Sequence, residues 1–281
     1  MKTYLDCLPC FLQQTLRAGR IATDDEKIIK QLLDDVGMML KDIPLDNTPP
    51  ETGMLIYQKI SQITGNQDPF KKIKKENIDK ALSLYPEMKK LVDKSNDKLL
   101  TAIKLAIAGN VIDFGVNREF DIEKEIAEAV NKKLVLKDYE DFKDVLCKAK
   151  EILYIGDNAG EAVFDKILIE QLKKPVVYVV RGHPVINDVT FQDAVSIGID
   201  KLARVISSGT PAPGTILKTC NPDFIKLFKS ADMVISKGQG NYEGLSGEKR
   251  PIFFLLKVKC PVIARDIGVD TSAIVLKRNG I

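Results

Sequence analysis

Five short apolar runs in the second half of the chain each end in a polar cluster, and this punctuation constrains the fold more than any other feature. The runs cover residues 152–155, 176–180, 203–206, 233–235 and 262–264. They lead into Gly156-Asp157-Asn158-Ala159-Gly160, Arg181-Gly182 with Asn187-Asp188, Ser207-Ser208-Gly209-Thr210, Lys237-Gly238-Gln239-Gly240-Asn241, and Arg265-Asp266. Short apolar runs alternating with helical stretches predict a mostly parallel, doubly wound, Rossmann-like three-layer α/β sheet. Ligands of such sheets bind in the crevice outside the carboxyl ends of the strands. The clusters are therefore expected to converge on one pocket of acids, amides, glycines and a lysine, which suits a metal ion and a phosphate.

Residues 1–145 read as a helical region, packing on or beside the sheet, and residues 146–281 as the α/β metal- and phosphate-binding part. Apolar residues recur at helical spacing over 26–40, and helices are expected at 52–64, 77–84, 87–95 (broken near Pro86), 99–111 and 123–131. Downstream, helices are expected at 161–172, 189–197, 223–229 and 252–258, with a last short strand at 273–276.

Composition narrows the chemistry. A chain of 281 residues with 44% hydrophobic and 29% charged residues suits a soluble globular protein. The start lacks an apolar leader and no apolar stretch approaches a membrane span, so a cytoplasmic protein is expected. Net charge is only +3, and Lys71-Lys72-Ile73-Lys74-Lys75 reads as a solvated helix face, so neither nucleic acid nor membrane is an expected partner. Five scattered cysteines suggest no disulfide framework. A single histidine, His183, excludes multi-histidine zinc centres, so any catalytic metal is expected to have mostly oxygen ligands.

Each cluster has a chemical reading and a plain structural one. Asp157 and Asn158 suit a hard cation, or one of them caps the following helix. Asp188 reads as a helix cap alone, but two acids at adjacent strand ends repel unless a cation or proton lies between them. Lys237 with the amides of Gly238 and Gly240 suggests a phosphate cradle; a flexible glycine turn is the alternative. Ser208 lies in a turn equally able to contact phosphate. Asn110 and Asp113 interrupt an apolar helix and either brace it or reach into the cleft. Asp157 or Asp193 could orient an attacking water, while no D-x-D pair supports a phosphoaspartyl intermediate. Cys7-Leu8-Pro9-Cys10 lacks a second CxxC for a zinc site.

Together Asp157-Asn158-Ala159-Gly160-Glu161, Arg181-Gly182 with Asn187-Asp188-Val189-Thr190, and Ser236-Lys237-Gly238-Gln239-Gly240-Asn241-Tyr242-Glu243 resemble the damage-control phosphatases, an acidic-residue-methyltransferase-like family long listed as a domain of unknown function. The likeness extends upstream through Asp68-Pro69-Phe70 and residues 109–113, and Cys7 with Cys10 resembles the CxxC-bearing, mainly prokaryotic and archaeal subgroup. The resemblance implies metal-dependent hydrolysis of small phosphate monoesters such as sugar phosphates. It implies Asp157, Asn158 and Asp188 as ligands of Mn, Ni, Co or Mg. It places the 237–243 loop against substrate, with Arg181, Gln239 and Asn241 among the contacts. Another subgroup carries Arg-x-x-Lys after the last strand; here Arg265-Asp266-Ile267-Gly268 lacks that lysine. The competing readings are an S-adenosylmethionine-dependent carboxyl methyltransferase and a non-catalytic phosphometabolite binder. Oligomeric state stays open.

Overall fold

The computed structural model describes residues 1–109, 134–135 and 138–279. Five helices come first: α1 (Cys7–Ala22), α2 (Glu26–Leu40), α3 (Pro49–Thr64), α4 (Lys71–Lys94) and α5 (Lys98–Ala108). Helix α6 (Tyr139–Lys148) then leads into β1 (Ile152–Ile155), α7 (Ala162–Leu172), β2 (Val176–Val180), α8 (Phe191–Ile197) and β3 (Arg204–Ser207). The chain continues through α9 (Pro222–Ser230), β4 (Met233–Lys237), α10 (Gln239–Leu245), β5 (Ile252–Lys257), α11 (Pro261–Ile267) and β6 (Ile274–Asn279). The expected helix over 123–131, together with Asn110 and Asp113, lies outside the described residues.

The six strands run in the order β3-β2-β1-β4-β5-β6, parallel except for β6, which pairs antiparallel with β5. From β1 the chain winds outward to β2 and β3, then returns to start again at β4 beside β1. The reversal opens a crevice between the downstream ends of β1 and β4, which is where α/β sheets of this kind bind ligands.

Alternation along the strands builds two cores. Tyr154, Tyr178, Ile235 and Phe253 face one side, against Ala102, Ile103, Phe142 and Phe164 of α5, α6 and α7. Leu153, Val177, Val234 and Phe254 face the other, against Phe224 of α9, Leu245 of α10 and Ile263 of α11. Burying each such side chain contributes roughly 1.5–3 kcal/mol, so both sheet faces are covered, as parallel sheets require. Helices α4 and α5 share the first core with the sheet, whereas α1, α2 and α3 close a smaller cluster around Phe11, Leu32, Ile56 and Phe70.

Local chemistry sets the element ends. Helix α3 begins three residues earlier than its periodicity suggests, because Thr48 and Glu51 form a capping box with proline at the first helical position. Helix α4 runs unbroken through the exposed Pro86, where a break was expected. Residues 252–258 were expected to be helical and the run 262–264 a strand; the structure reverses both. The run Ile252–Lys257 is buried on both faces between β4 and β6, where a continuous apolar run is the strand signature. Pro261 opens α11 with its fixed φ and needs no hydrogen bond there. Arg265 and Asp266 therefore lie on a helix rather than at a strand end, and Asp266 accepts a hydrogen bond from the Tyr242 hydroxyl at 2.6 Å. No helix among the described residues is long and apolar enough to cross a membrane.

Candidate functional site

The loops after β1 and β2 are zipped together by backbone hydrogen bonds. Ala159 N donates to Asn187 O at 2.8 Å and Val189 N to Asp157 O at 2.7 Å, and Asn158 bridges Asp188 in antiparallel fashion. This pairing brings Asp157, Asn158 and Asp188 together at the crevice. Neither acid caps a helix: Thr190 caps α8, with Asp193 completing its capping box, and Glu161 stands at the cap of α7. The plain structural explanations for these polar groups are thereby taken by other residues.

Arg181 holds the acids from beneath. It is buried, its Nε donates to Asp188 Oδ2 at 2.6 Å, and its Nη2 lies 3.6 Å from Asp157 Oδ1 without making a hydrogen bond. Burial nevertheless pushes the Asp188 carboxyl up to about 7; Arg181 opposes the shift and Asp157 reinforces it. One guanidinium is thus insufficient compensation for two buried carboxylates. The Asn158 amide donates to Asp157 Oδ2 at 3.3 Å and to Glu161 Oε2 at 3.4 Å. With its NH2 so occupied, its carbonyl oxygen is left for a cation. Among the described residues no three His, Cys, Asp or Glu side chains gather as a metal cluster, so a cation here depends on that amide oxygen. Two carboxylates and an amide oxygen, short of positive charge, fit a hard divalent ion.

The loop from β4 closes over Asp157. Gly238 has φ +76°, and a Cβ there would stand 1.9 Å from Asp157 Oδ2. Gly238→Ala must therefore displace the carboxylate as well as strain the backbone. Its expected outcome is loss of Mn-dependent thermal stabilisation, read by calorimetry with and without metal.

Several expected site residues are placed differently. Lys237 is fully buried, and its ammonium donates to Glu161 Oε1 and Asp165 Oδ1 at 2.5 Å and to Ala106 O at 2.8 Å. All three of its donors are used, so it cannot serve as the phosphate-facing charge. The Gly238 amide belongs to the sheet, donating to Leu255 O at 3.0 Å, and is equally unavailable to phosphate. Asp193 is engaged with Thr190 and Lys74 and does not orient a water at the acids. Ser208 is buried with its hydroxyl on Val180 O. Asn241 braces the loops, donating to Gly156 O and Lys237 O and accepting from Thr215. Arg181 grips carboxylates instead of facing substrate.

Gln239 and Gly240 do line the cavity, of about 800 Å³, that opens over Asp157, Asn158 and Asp188. Its positive charge comes from Arg17, Lys257 and Lys259, and Tyr57 and Glu161 also reach it. Sequence reasoning missed these. Only Glu161 stood within a recognisable motif; Arg17 and Tyr57 arrive from α1 and α3 through long-range packing.

Fold and site together define an α/β protein of Rossmann strand order, with an acid- and amide-lined centre at its switch point. Residues 3–275 match the damage-control phosphatase ARMT1-like domain, and the chain belongs to that family. It is 38% identical to damage-control phosphatase PH1575 of Pyrococcus horikoshii over 99% of both chains. It is 32% identical to a damage-control phosphatase of Archaeoglobus fulgidus, covering 96% of this chain and 97% of that one. The crystal structure of the Pyrococcus DUF89 family protein superimposes with a TM-score of 0.92, covering 99% of each chain.

Proposed function

We propose that the protein is a divalent-metal-dependent phosphatase of small phosphorylated metabolites, acting in metabolite damage control. The observation that carries this reading is the convergence of Asp157, Asn158 and Asp188 under a cavity whose wall also brings Arg17, Lys257 and Lys259 to the same space. Asp157, Asn158 and Asp188 would hold Mn, Ni, Co or Mg. When bound, such an ion polarises a phosphoryl oxygen and lowers the pKa of water. Arg17, Lys257 and Lys259 draw the phosphate in, while Gln239 and Gly240 border it. Glu161, whose carboxyl burial pushes up to about 8 against the pull of Lys237, is placed to move a proton at its Oε2, the oxygen nearer Asn158. A methyltransferase reading is weaker, because the β1 loop presents a carboxylate under Gly238 where a cofactor's anionic tail needs bare amides.

The test is phosphate release from metal-stripped protein, with and without Mn, against p-nitrophenyl phosphate and sugar phosphates. Turnover should require metal; its absence from folded, metal-loaded protein across the panel sinks the reading.

Protons and metal compete for Asp188. Its folded pKa is raised, so the stability it contributes to the metal-free protein is present below its unfolded pKa, near 4, and is lost as pH rises through about 7. A cation needs the deprotonated form. The shift in thermal midpoint on adding Mn should therefore be larger at pH 8 than at pH 6, and equal shifts would argue against Asp188 as a ligand.

A further inference from the structure

Lys237, Ser208 and Asn241, near the strand ends, spend every side-chain donor on the protein itself. An anion over Asp157, Asn158 and Asp188 has to be met from elsewhere, and Tyr57 of α3 is placed to meet it.

Packing puts Tyr57 there. Ile56 and Ile60 are buried in the cluster that α1, α2 and α3 share. Tyr57 lies about 100° further round the helix than Ile56 and lines the cavity of about 800 Å³ above the acids. Gly53 stands one turn earlier on the same face. A Cβ at Gly53 would come within 2.8 Å of the Pro213 ring, and Pro213 lines that cavity too. From the other side Ile186, two residues before Asp188, packs on the same apolar cluster as Tyr57. The β2 loop that carries Asp188 is thereby docked against the helix that carries Tyr57.

The Tyr57 hydroxyl has no hydrogen-bond partner among the described residues, and it is not one of the sealed, unpartnered polar atoms of the core. It opens on the cavity, where the charges it feels most are Asp188 and Arg17, both at the wall. Burial first, and the charge of Asp188 second, push the phenol pKa up, against the pull of Arg17. The phenol stays neutral and keeps its hydrogen. A neutral donor suits the position. A further ammonium beside Asp188 would compete with a cation for the carboxylate, whereas a phenol offers a hydrogen to an anion without repelling the metal.

We propose that Tyr57 contacts the substrate directly, its hydroxyl donating to a phosphoryl oxygen held over Asp188. The assignment rests on the phosphatase reading above. The hydroxyl stabilises charge on that oxygen as a donor fixed in advance by packing, with no rearrangement at the moment of reaction.

The test is Tyr57→Phe, which keeps the ring and removes only the hydroxyl, in the Mn-loaded full chain. Its kcat/KM for p-nitrophenyl phosphate should fall about tenfold to a hundredfold, the worth of a hydrogen bond to a charged group. Its affinity for orthophosphate, measured by titration calorimetry, should fall about tenfold or more, while thermal midpoint and Mn affinity keep their wild-type values. Unchanged kcat/KM and phosphate affinity in the variant overturn the proposal. So does a loss of both that comes with a lower midpoint or weaker Mn binding, the behaviour of a packing residue. If the wild type releases no phosphate from any ester, the phosphatase reading fails. The orthophosphate titration then decides Tyr57 by itself: affinity lost in the variant upholds the contact, and equal affinities end it.

Discussion

Asp157→Asn should lower Mn-dependent phosphate release about a thousandfold or more, the scale on which loss of a group stabilising transition-state charge is felt, while the metal-free protein does not lose thermal stability. The two halves of this expectation have one cause. Asp157 and Asp188 sit together in a buried crevice, and each makes the other's charge harder to maintain: Asp157 is among the influences that raise Asp188. Removing one charge relieves that repulsion, and an amide of the same shape keeps the packing beneath Gly238. Arg181 retains its 2.6 Å bond to Asp188. That result would mark a site kept for function at the expense of stability. Calorimetry and a phosphate assay on the same preparation check both halves. A variant that stays active removes Asp157 from the metal site, and one that unfolds without metal assigns it a structural role.

The strand ends carry most of what was readable. The acids and amide at 157, 158 and 188 follow β1 and β2, and parallel neighbours put their downstream ends side by side, so their meeting was legible from order and spacing. The misreadings have identifiable physical sources. Residues 252–256 form an unbroken apolar run, whose periodicity cannot distinguish a buried strand from a buried helix. Burial on both sheet faces decides it, and that depends on α5, α10 and β6. Pro261-Val262-Ile263-Ala264 is too short to show a period at all. Lys237 was misread because a lysine beside glycines suits phosphate; it is instead the last residue of β4, covered by α5 and α7. Arg17 and Tyr57 gave no local signal, since only the docking of α1 and α3 brings them to the cavity. What sequence alone shows is the end of a strand, and what it hides is which helix closes over it.

The buried position of Lys237 carries the second large expectation. Its ammonium stays charged because Asp165 and Glu161 outweigh the burial that disfavours it. Asp165 in turn accepts from the Tyr154 hydroxyl at 2.7 Å and the Tyr178 hydroxyl at 2.8 Å, tying the cluster to β1 and β2. Lys237→Met leaves the Asp165 carboxylate buried without its cation, which costs about 3–5 kcal/mol and lowers the thermal midpoint on the order of 10 °C. Adding Asp165→Asn to that variant should recover part of the loss, because the stranded charge is gone while an amide oxygen can still accept from a tyrosine. The effect reaches the site as well. Glu161 is fixed through Lys237 and itself holds the Asn158 amide, so loosening it frees that amide to turn its nitrogen toward the cation. Mn-dependent stabilisation should weaken accordingly, on top of the lower midpoint. A lysine that faced phosphate would behave oppositely, with Lys237→Met sparing stability and Mn binding and lowering only turnover. The thermal midpoint without metal is therefore the measurement that separates a lysine built into the core from one built into the reaction.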